Sequence, residues 1–261
     1  MITLSNKEAK NLVKNVFGKN AEKYVTSESH SQGTDLPLIV EWLNPKSDSI
    51  VLDIATGGGH VAKTLSPHVA TVLATDLTKE MLSNTAKHLR TQYKNIHYVL
   101  ADAESLPFLD NTFDEVTCRI APHHFPNPGH FIREVSRVLK PRSQFLLIDN
   151  IAPEDSDKGE FMNQVEKLRD KSHGRCLSIS EWRKLFQNSD LEEGQSRQRK
   201  KKFMFPVWVN VTTENQEQRD EVEQLLLSAT EELKEYFAIE IVDGEVQSHE
   251  IDEWMVLCKK K

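Results

Sequence analysis

The chain has 261 residues, 38% of them apolar and 28% charged, with 10 glycines and 10 prolines, which excludes disordered, collagenous and membrane-embedded classes. Its 33 lysines and arginines against 40 aspartates and glutamates give a net charge of -7, so the overall field repels polyanions and favours a small or cationic partner over nucleic acid. Cys118, Cys176 and Cys258 lie far apart with no C-x-x-C pair, a pattern that predicts neither a bound metal nor a disulfide framework and fits a reducing cytoplasm.

The opening residues reach charge at Lys7 and Glu8 before any apolar stretch long enough for a secretory signal, and no later segment has the length of a membrane span. A cytoplasmic protein is expected, a monomer or a homodimer. Ser5-x-x-Glu8 is a capping box, and Leu12, Val13, Val16 and Phe17 recur at helical spacing, so the chain is expected to open with an amphipathic helix. Residues 21–35, polar and including Tyr24 and Gly33, read as an irregular arm. A second helix is predicted over 36–43, ended by Asn44-Pro45.

Between residues 49 and 150 short β-branched runs alternate with helical ones. Strands are predicted at 50–54, 69–75, 96–100, 113–120 and 145–149, separated by helical patterns that include 60–65, 79–89 and 130–139. This alternation implies right-handed crossovers and an α/β fold, a doubly wound and mostly parallel sheet with helices on both faces. Ligands of such sheets lie beyond the carboxyl ends of the strands. Further on, helices are predicted at 159–171, 180–187 and 217–236 and strands at 203–209, 239–242 and 255–258, with a hairpin at Asp243-Gly244. No linker separates independent units, so a single domain over 1–261 is expected: a helical amino-terminal arm or lid (1–45), a binding core (46–150), and a carboxy-terminal cover with the last strands (151–261).

The strongest local signal is Val51-Leu52-Asp53-Ile54-Ala55-Thr56-Gly57-Gly58-Gly59-His60-Val61-Ala62, a strand running through glycines into a helix. Gly57-x-Gly59-x-x-Ala62 matches a dinucleotide fingerprint, and Asp76 at the end of the next predicted strand suits ribose hydroxyls. The match alone does not separate a nicotinamide cofactor from another adenosine-containing ligand. Asp53 does: a carboxylate just ahead of the loop repels a pyrophosphate and attracts an ammonium group, which argues for S-adenosylmethionine. A carboxylate that only caps the loop is the plainer alternative for Asp53.

These residues resemble motif I of the class I S-adenosylmethionine-dependent methyltransferases, in the UbiE-like, methyltransferase type 11 group. Ala74-Thr75-Asp76-Leu77-Thr78-Lys79-Glu80-Met81-Leu82 is similar to their acidic loop after the second strand, and Ala101-Asp102-Ala103-Glu104-Ser105-Leu106-Pro107-Phe108 to their adenine-contacting loop. Phe113-Asp114-Glu115-Val116 is similar to their fourth strand, and Arg133 through Pro141 completes the ordered set, so the likeness spans 24–150. Ala55 departs from the usual first glycine, and Arg142-Ser143 replaces the glycine pair after Lys140-Pro141. The resemblance implies a Rossmann-like fold with a final antiparallel strand and transfer of a methyl group from S-adenosylmethionine to a small-molecule acceptor. It implies that Gly57 and Gly59, with Ala55 and Thr56, pass close to the methionyl part and that Asp53 favours its ammonium. Asp76 would accept the ribose hydroxyls, Leu77 and Met81 would flank adenine, and Asp102 and Ala103 would meet its amino group and ring. Arg119 and Tyr24 complete the implied cofactor contacts.

Arg119-Ile120-Ala121-Pro122-His123-His124-Phe125 follows the fourth strand and is expected beside the transferable methyl group. Asn-Pro-Pro-Tyr, found there in several amino-group methyltransferases of nucleic acids and proteins, is absent. His124, and less so His123, are the candidate general bases; a packing pair is the plainer reading. The run Arg197-Gln198-Arg199-Lys200-Lys201-Lys202 can track a phosphate backbone, but in an acidic chain it reads better as a solvated strand edge or loop. Two other functions share the glycine loop: an NAD(P)-dependent oxidoreductase and a non-catalytic S-adenosylmethionine-binding module.

Overall fold

The computed structural model describes residues 5–26, 33 and 35–261. The apolar runs form the first five strands: β1 (Ile50–Ile54), β2 (Thr71–Asp76), β3 (Ile96–Leu100), β4 (Phe113–Arg119) and β5 (Leu139–Ile151). Adjacent strands among them pair in parallel, as strands covered by helices on both faces do. Three further strands, β6 (Leu191–Met204), β7 (Glu240–Val242) and β8 (Glu245–Lys260), complete the sheet in the order β3-β2-β1-β4-β5-β8-β6, with β7 also on β8. β8 runs antiparallel to β5, β6 and β7. The strand order reverses between β1 and β4, and the crevice at their carboxyl ends is where such sheets bind ligands.

The helices are α1 (Asn6–Thr26), α2 (Leu36–Leu43), α3 (His60–Leu65), α4 (Lys79–Leu89), α5 (Pro128–Val138), α6 (Ser156–Arg169), α7 (Ile179–Gln187), α8 (Phe205–Val209), α9 (Gln216–Leu227) and α10 (Glu231–Tyr236). On one sheet face Ile39, Leu43, Val61 and Leu65 from α2 and α3 bury Val51 and Val72. On the other, Phe131 and Val135 of α5 and Trp182 and Phe186 of α7 bury Leu52 and Val116. A third cluster, built from α6, α8 and α9 around Ile251, lies beside the carboxy-terminal strands.

Three expectations change, and the strand-edge reading of the basic run holds. Helix α1 runs to Thr26, into the stretch expected to be irregular; residues 27–32 and 34 lie outside the described residues. The predicted strand at 203–209 is the end of β6 followed by helix α8, because a short aromatic run satisfies either period and Pro206 starts a helical turn. The predicted helix at 217–236 breaks into α9 and α10, where the Thr230 side chain accepts from the Leu233 N–H and caps the second. The basic run is part of β6, a 14-residue edge strand, and its cations face acids of β8: Lys200 to Asp252 at 3.0 Å and Lys201 to Glu253 at 3.1 Å, with Arg199 also on Glu253.

The turn into α3 depends on Gly59, whose φ is +77°. A Cβ there would lie 2.5 Å from Thr85 Cγ2 and 2.7 Å from Leu89 Cδ1 of α4. Gly59→Ala therefore combines left-handed strain with overpacking and should cost about 2–4 kcal/mol, read as a lower urea midpoint at unchanged slope.

Candidate active site

Beyond β1 the backbone turns left-handed at Ala55 (φ 53°) and Gly57 (φ 51°) before Gly59. Alanine at position 55, where the resembled family usually has glycine, carries about 1 kcal/mol of strain for that conformation. The loop is tied down from several sides: Thr56 N–H donates to the Thr75 carbonyl at 2.8 Å, and Thr85 Oγ1 donates to the Gly57 carbonyl at 2.6 Å. A Cβ on Gly57 would meet nothing nearer than the Ala55 carbonyl at 4.0 Å, so this residue opens onto free space. At Gly59 the position a Cβ would take faces α4, and the residue is not among those lining the cavity described below.

Three carboxylates stand at successive strand ends. Asp53, on β1, is 1% exposed; Thr56 Oγ1 donates to Oδ2 at 2.6 Å and Thr117 Oγ1 to Oδ1 at 2.9 Å. Burial raises its pKa to about 6 against these hydrogen bonds. Asp76, closing β2, accepts from Gly57 N–H at 3.1 Å and Thr78 N–H at 2.9 Å, and burial raises its pKa too. Asp102, after β3, accepts from Glu104 N–H at 3.0 Å and from Lys10 Nζ at 2.7 Å. Lys10 reaches across from α1 and also bridges Glu104 at 2.7 Å.

These groups surround one cavity that opens to solvent, concave and mostly apolar with a few convergent polar groups, as small-molecule sites are. Asp53, Ala55, Thr56 and Gly57 line its centre, Asp76, Leu77 and Met81 one side, and Asp102 and Ala103 the floor beyond. Arg119 lines it from the end of β4, held by Asp35 through an Nη2–Oδ1 contact of 3.1 Å. Burial pushes the Asp35 carboxyl up, but the Arg119 hydrogen bond and charge outweigh it and hold the group below its ordinary value. Val13 and Phe17 of α1 cover the cavity beside Lys10. Tyr24 lies on α1, with its side chain outside the described residues.

The far end is closed by a 3-10 turn, Pro122–His124. His124 lines the cavity, edge-on to Phe17 at 4.9 Å between ring centres. His123 points the other way, so the structure does not place it among the lining residues. Its Nδ1–H donates to Asp149 Oδ1 at 2.6 Å, and its backbone N–H donates to Asp149 Oδ2 at 3.0 Å. Burial lowers the His123 pKa, but Asp149 by charge and hydrogen bond lifts it above the ordinary value. His124 shows the reverse: burial first, then the charge of His123, lowers it to about 4. A neutral imidazole whose Nδ1 lies 3.1 Å from the Ser172 carbonyl must donate there, which leaves the lone pair on Nε2.

The chemistry of this donor set fits a cationic amino-acid nucleoside. Buried carboxylates suit an ammonium, a ribose diol and an exocyclic amine, whereas a pyrophosphate on Gly57 would be forced against Asp53 and Asp76. Sequence reasoning missed Lys10 and Glu104 beside Asp102, and Phe17, Asp170 and Ser172 around His124. Helical periodicity placed Phe17 on an amphipathic helix without showing what its face covers. The Asp170-x-Ser172 pattern, an Asx turn in which Ser172 N–H donates to Asp170 Oδ1 at 2.8 Å, was the available signal for the last pair.

Residues 52–147 match the type 11 methyltransferase domain family. The chain is 35% identical over 224 residues to the uncharacterized methyltransferase YcgJ of Bacillus subtilis, a match that covers 85% of this chain and 88% of that protein. A crystal structure of a Bacillus halodurans protein named as a methyltransferase superposes with a TM-score of 0.85 at 38% identity, covering 87% of this chain and 99% of that one. The ubiquinone/menaquinone biosynthesis C-methyltransferase UbiE of Rickettsia typhi is 30% identical over 152 residues, 53% of this chain and 60% of that protein. The ordered strand-end acids, the glycine loop between them and these likenesses lead to one assignment: the chain belongs to the S-adenosylmethionine-dependent methyltransferases, with a type 11 methyltransferase domain over residues 52–147.

Proposed function

We propose that this methyltransferase acts in the cytoplasm on a small, partly apolar acceptor, which it methylates at the His124 end of the cavity. The observation that carries this reading is the division of one cavity into two chemistries: carboxylates at the ends of β1, β2 and β3, and a largely apolar end formed by Phe17, Ile120, Ala121 and Phe125 around one uncharged histidine. In this reading Asp76 receives the ribose hydroxyls, and Leu77 and Met81 enclose the adenine. Asp102 and Ala103 meet the adenine edge once Lys10 shares or yields its carboxylate contact. Arg119, which lines the cavity from the end of β4, takes the methionyl carboxylate, and Asp53 supplies negative charge beneath the cationic groups. Residues 1–45 and 151–261 act as covers on a single domain.

When bound, the cofactor supplies an activated methyl group on a sulfonium, which leaves as a neutral thioether. The protein's own task is alignment and exclusion of water, effects worth up to about 7–11 kcal/mol in favourable cases. His124 Nε2 takes the proton of an acceptor whose nucleophilic atom must lose one. Among the described residues no helix is long and apolar enough to cross a membrane.

Two experiments test the reading. Calorimetry should show binding of S-adenosylhomocysteine and none of NADH, and incubation with labelled methyl donor and fractionated small metabolites should transfer label to a small molecule. Binding without any transfer would reduce the protein to a cofactor-holding module. The ionisation of Asp53 adds a pH signature. Its carboxyl, with a pKa of about 6, is protonated below that value, and a cation above it favours the ionised form. Affinity for S-adenosylmethionine should therefore rise about tenfold from pH 5 to pH 7 and then level off, with a smaller rise for S-adenosylhomocysteine, which lacks the sulfonium charge.

A further inference from the structure

We propose that Asp149 and His123 are positioning residues for methyl transfer: their ion pair, packed behind His124, opposes a second charge on that ring, while the Ser172 carbonyl leaves its Nε2 as the acceptor for the substrate's proton. The inference rests on the reading of His124 as the base. Three histidines meet behind the acceptor end of the cavity. The ring centres of His123 and His124 are 4.3 Å apart, and those of His123 and His173 are 5.6 Å apart. Asp149 is 1% exposed on β5 and grips His123 twice, at Nδ1 and at the backbone N–H, so both the charge and the orientation of that ring are fixed from the sheet. The His123 carbonyl is held in turn by Gly174 N–H at 2.9 Å and Arg175 N–H at 3.0 Å. A Cβ at Gly174 would lie 2.9 Å from that oxygen, so the loop after α6 is pressed directly against the histidine turn.

The same loop sets the tautomer of His124. Ser172 presents its carbonyl to Nδ1, and Asp170 locks Ser172 through Oγ at 2.5 Å and N–H at 2.8 Å. The neighbouring His173 donates from Nε2 to Asn163 Oδ1 at 2.9 Å, and burial together with the neighbouring histidines lowers its pKa to about 2. The charges that face His124 are thus His123 from its own turn, Asp170 from the loop and Arg169 from the end of α6; those that face His123 are Asp149, Glu166 of α6 and Asp170. Glu166 is itself paired with Arg169 at 2.8 Å, which leaves Asp149 as the dominant partner of His123. A cationic His123 beside His124 opposes any second positive charge before substrate arrives, so the base waits in the form able to accept. During transfer the acceptor's X–H bond breaks, its proton goes to His124 Nε2, the new X–CH3 bond forms and the sulfonium's S–CH3 bond breaks.

The test uses Asp149→Asn and His123→Gln in the full chain. Asp149→Asn removes the anion that keeps His123 charged. Burial then drives His123 neutral, the repulsion on His124 ends and its pKa rises from about 4. The acid limb of kcat/KM should move up by about one pH unit or more in both variants, and the His124 ring resonance, followed by NMR on labelled protein, should titrate at correspondingly higher pH. Unchanged affinity for S-adenosylhomocysteine checks that the site has kept its shape. An unmoved His124 titration in both variants overturns the positioning role. If His124→Ala retains full turnover, the base reading itself fails, a result the titration cannot mimic.

Discussion

His124→Ala should lower turnover on the true acceptor by about 10²–10⁴-fold, the range spanned by a single general base, while affinity for S-adenosylhomocysteine changes little. The reasons lie in where the ring sits. His124 lines the cavity at its largely apolar end, the proposed acceptor site, and none of the three strand-end carboxylates depends on it for a hydrogen bond. Its Nδ1 is committed to the Ser172 carbonyl, so the side chain offers a single acceptor atom. A loss confined to kcat, with cofactor binding intact by calorimetry, is the expected pattern. Unchanged turnover would mean that the acceptor's nucleophile carries no proton to be removed, and catalysis would then rest on alignment alone.

Asp76→Ala should produce the opposite pattern, a weakening of cofactor binding by about 3–4 kcal/mol, or roughly 10²–10³-fold in Kd. Two contributions add. The proposed ribose contacts disappear, and the Gly57 N–H, which donates to Asp76 Oδ2 at 3.1 Å, loses the partner that holds the glycine loop in its left-handed turn. Asp76→Asn separates them, because its amide oxygen can still accept from Gly57 but receives ribose hydroxyls without a charge. It should fall between wild type and Asp76→Ala. Equal affinities for all three proteins would remove Asp76 from the cofactor contacts.

The parallel half of the sheet was legible because buried parallel strands are written as continuous apolar runs. Residues 50–54 and 96–100 appear in the structure with the bounds the sequence predicts, and β4 differs by one residue at its carboxyl end. β6 was legible only in part, as a strand edge or loop at 197–202 and a strand from 203, and its full length was not. Its residues are mostly exposed and charged, and what makes them a strand is the acid-bearing β8 alongside, a contact between residues some fifty positions apart, such as Lys200 with Asp252. At the candidate site the local motifs gave the strand-end acids, because each sits at a fixed place relative to a strand. Lys10 escaped because its partners Asp102 and Glu104 are 92 and 94 residues away, and no periodicity announces such a pair. Of the two adjacent histidines the sequence favoured His124 over His123, but only the fold supplies the physical difference, with His124 on the cavity and His123 turned toward Asp149.

The account stands most directly on where the nucleoside lies. A crystal structure of the protein with S-adenosylhomocysteine should show both ribose hydroxyls on the Asp76 carboxylate, the adenine between Leu77 and Met81 with its edge toward Ala103 and Asp102, and the thioether sulfur directed to the His124 end. A nucleoside bound outside this cavity, or one with its ribose turned away from Asp76, would contradict it.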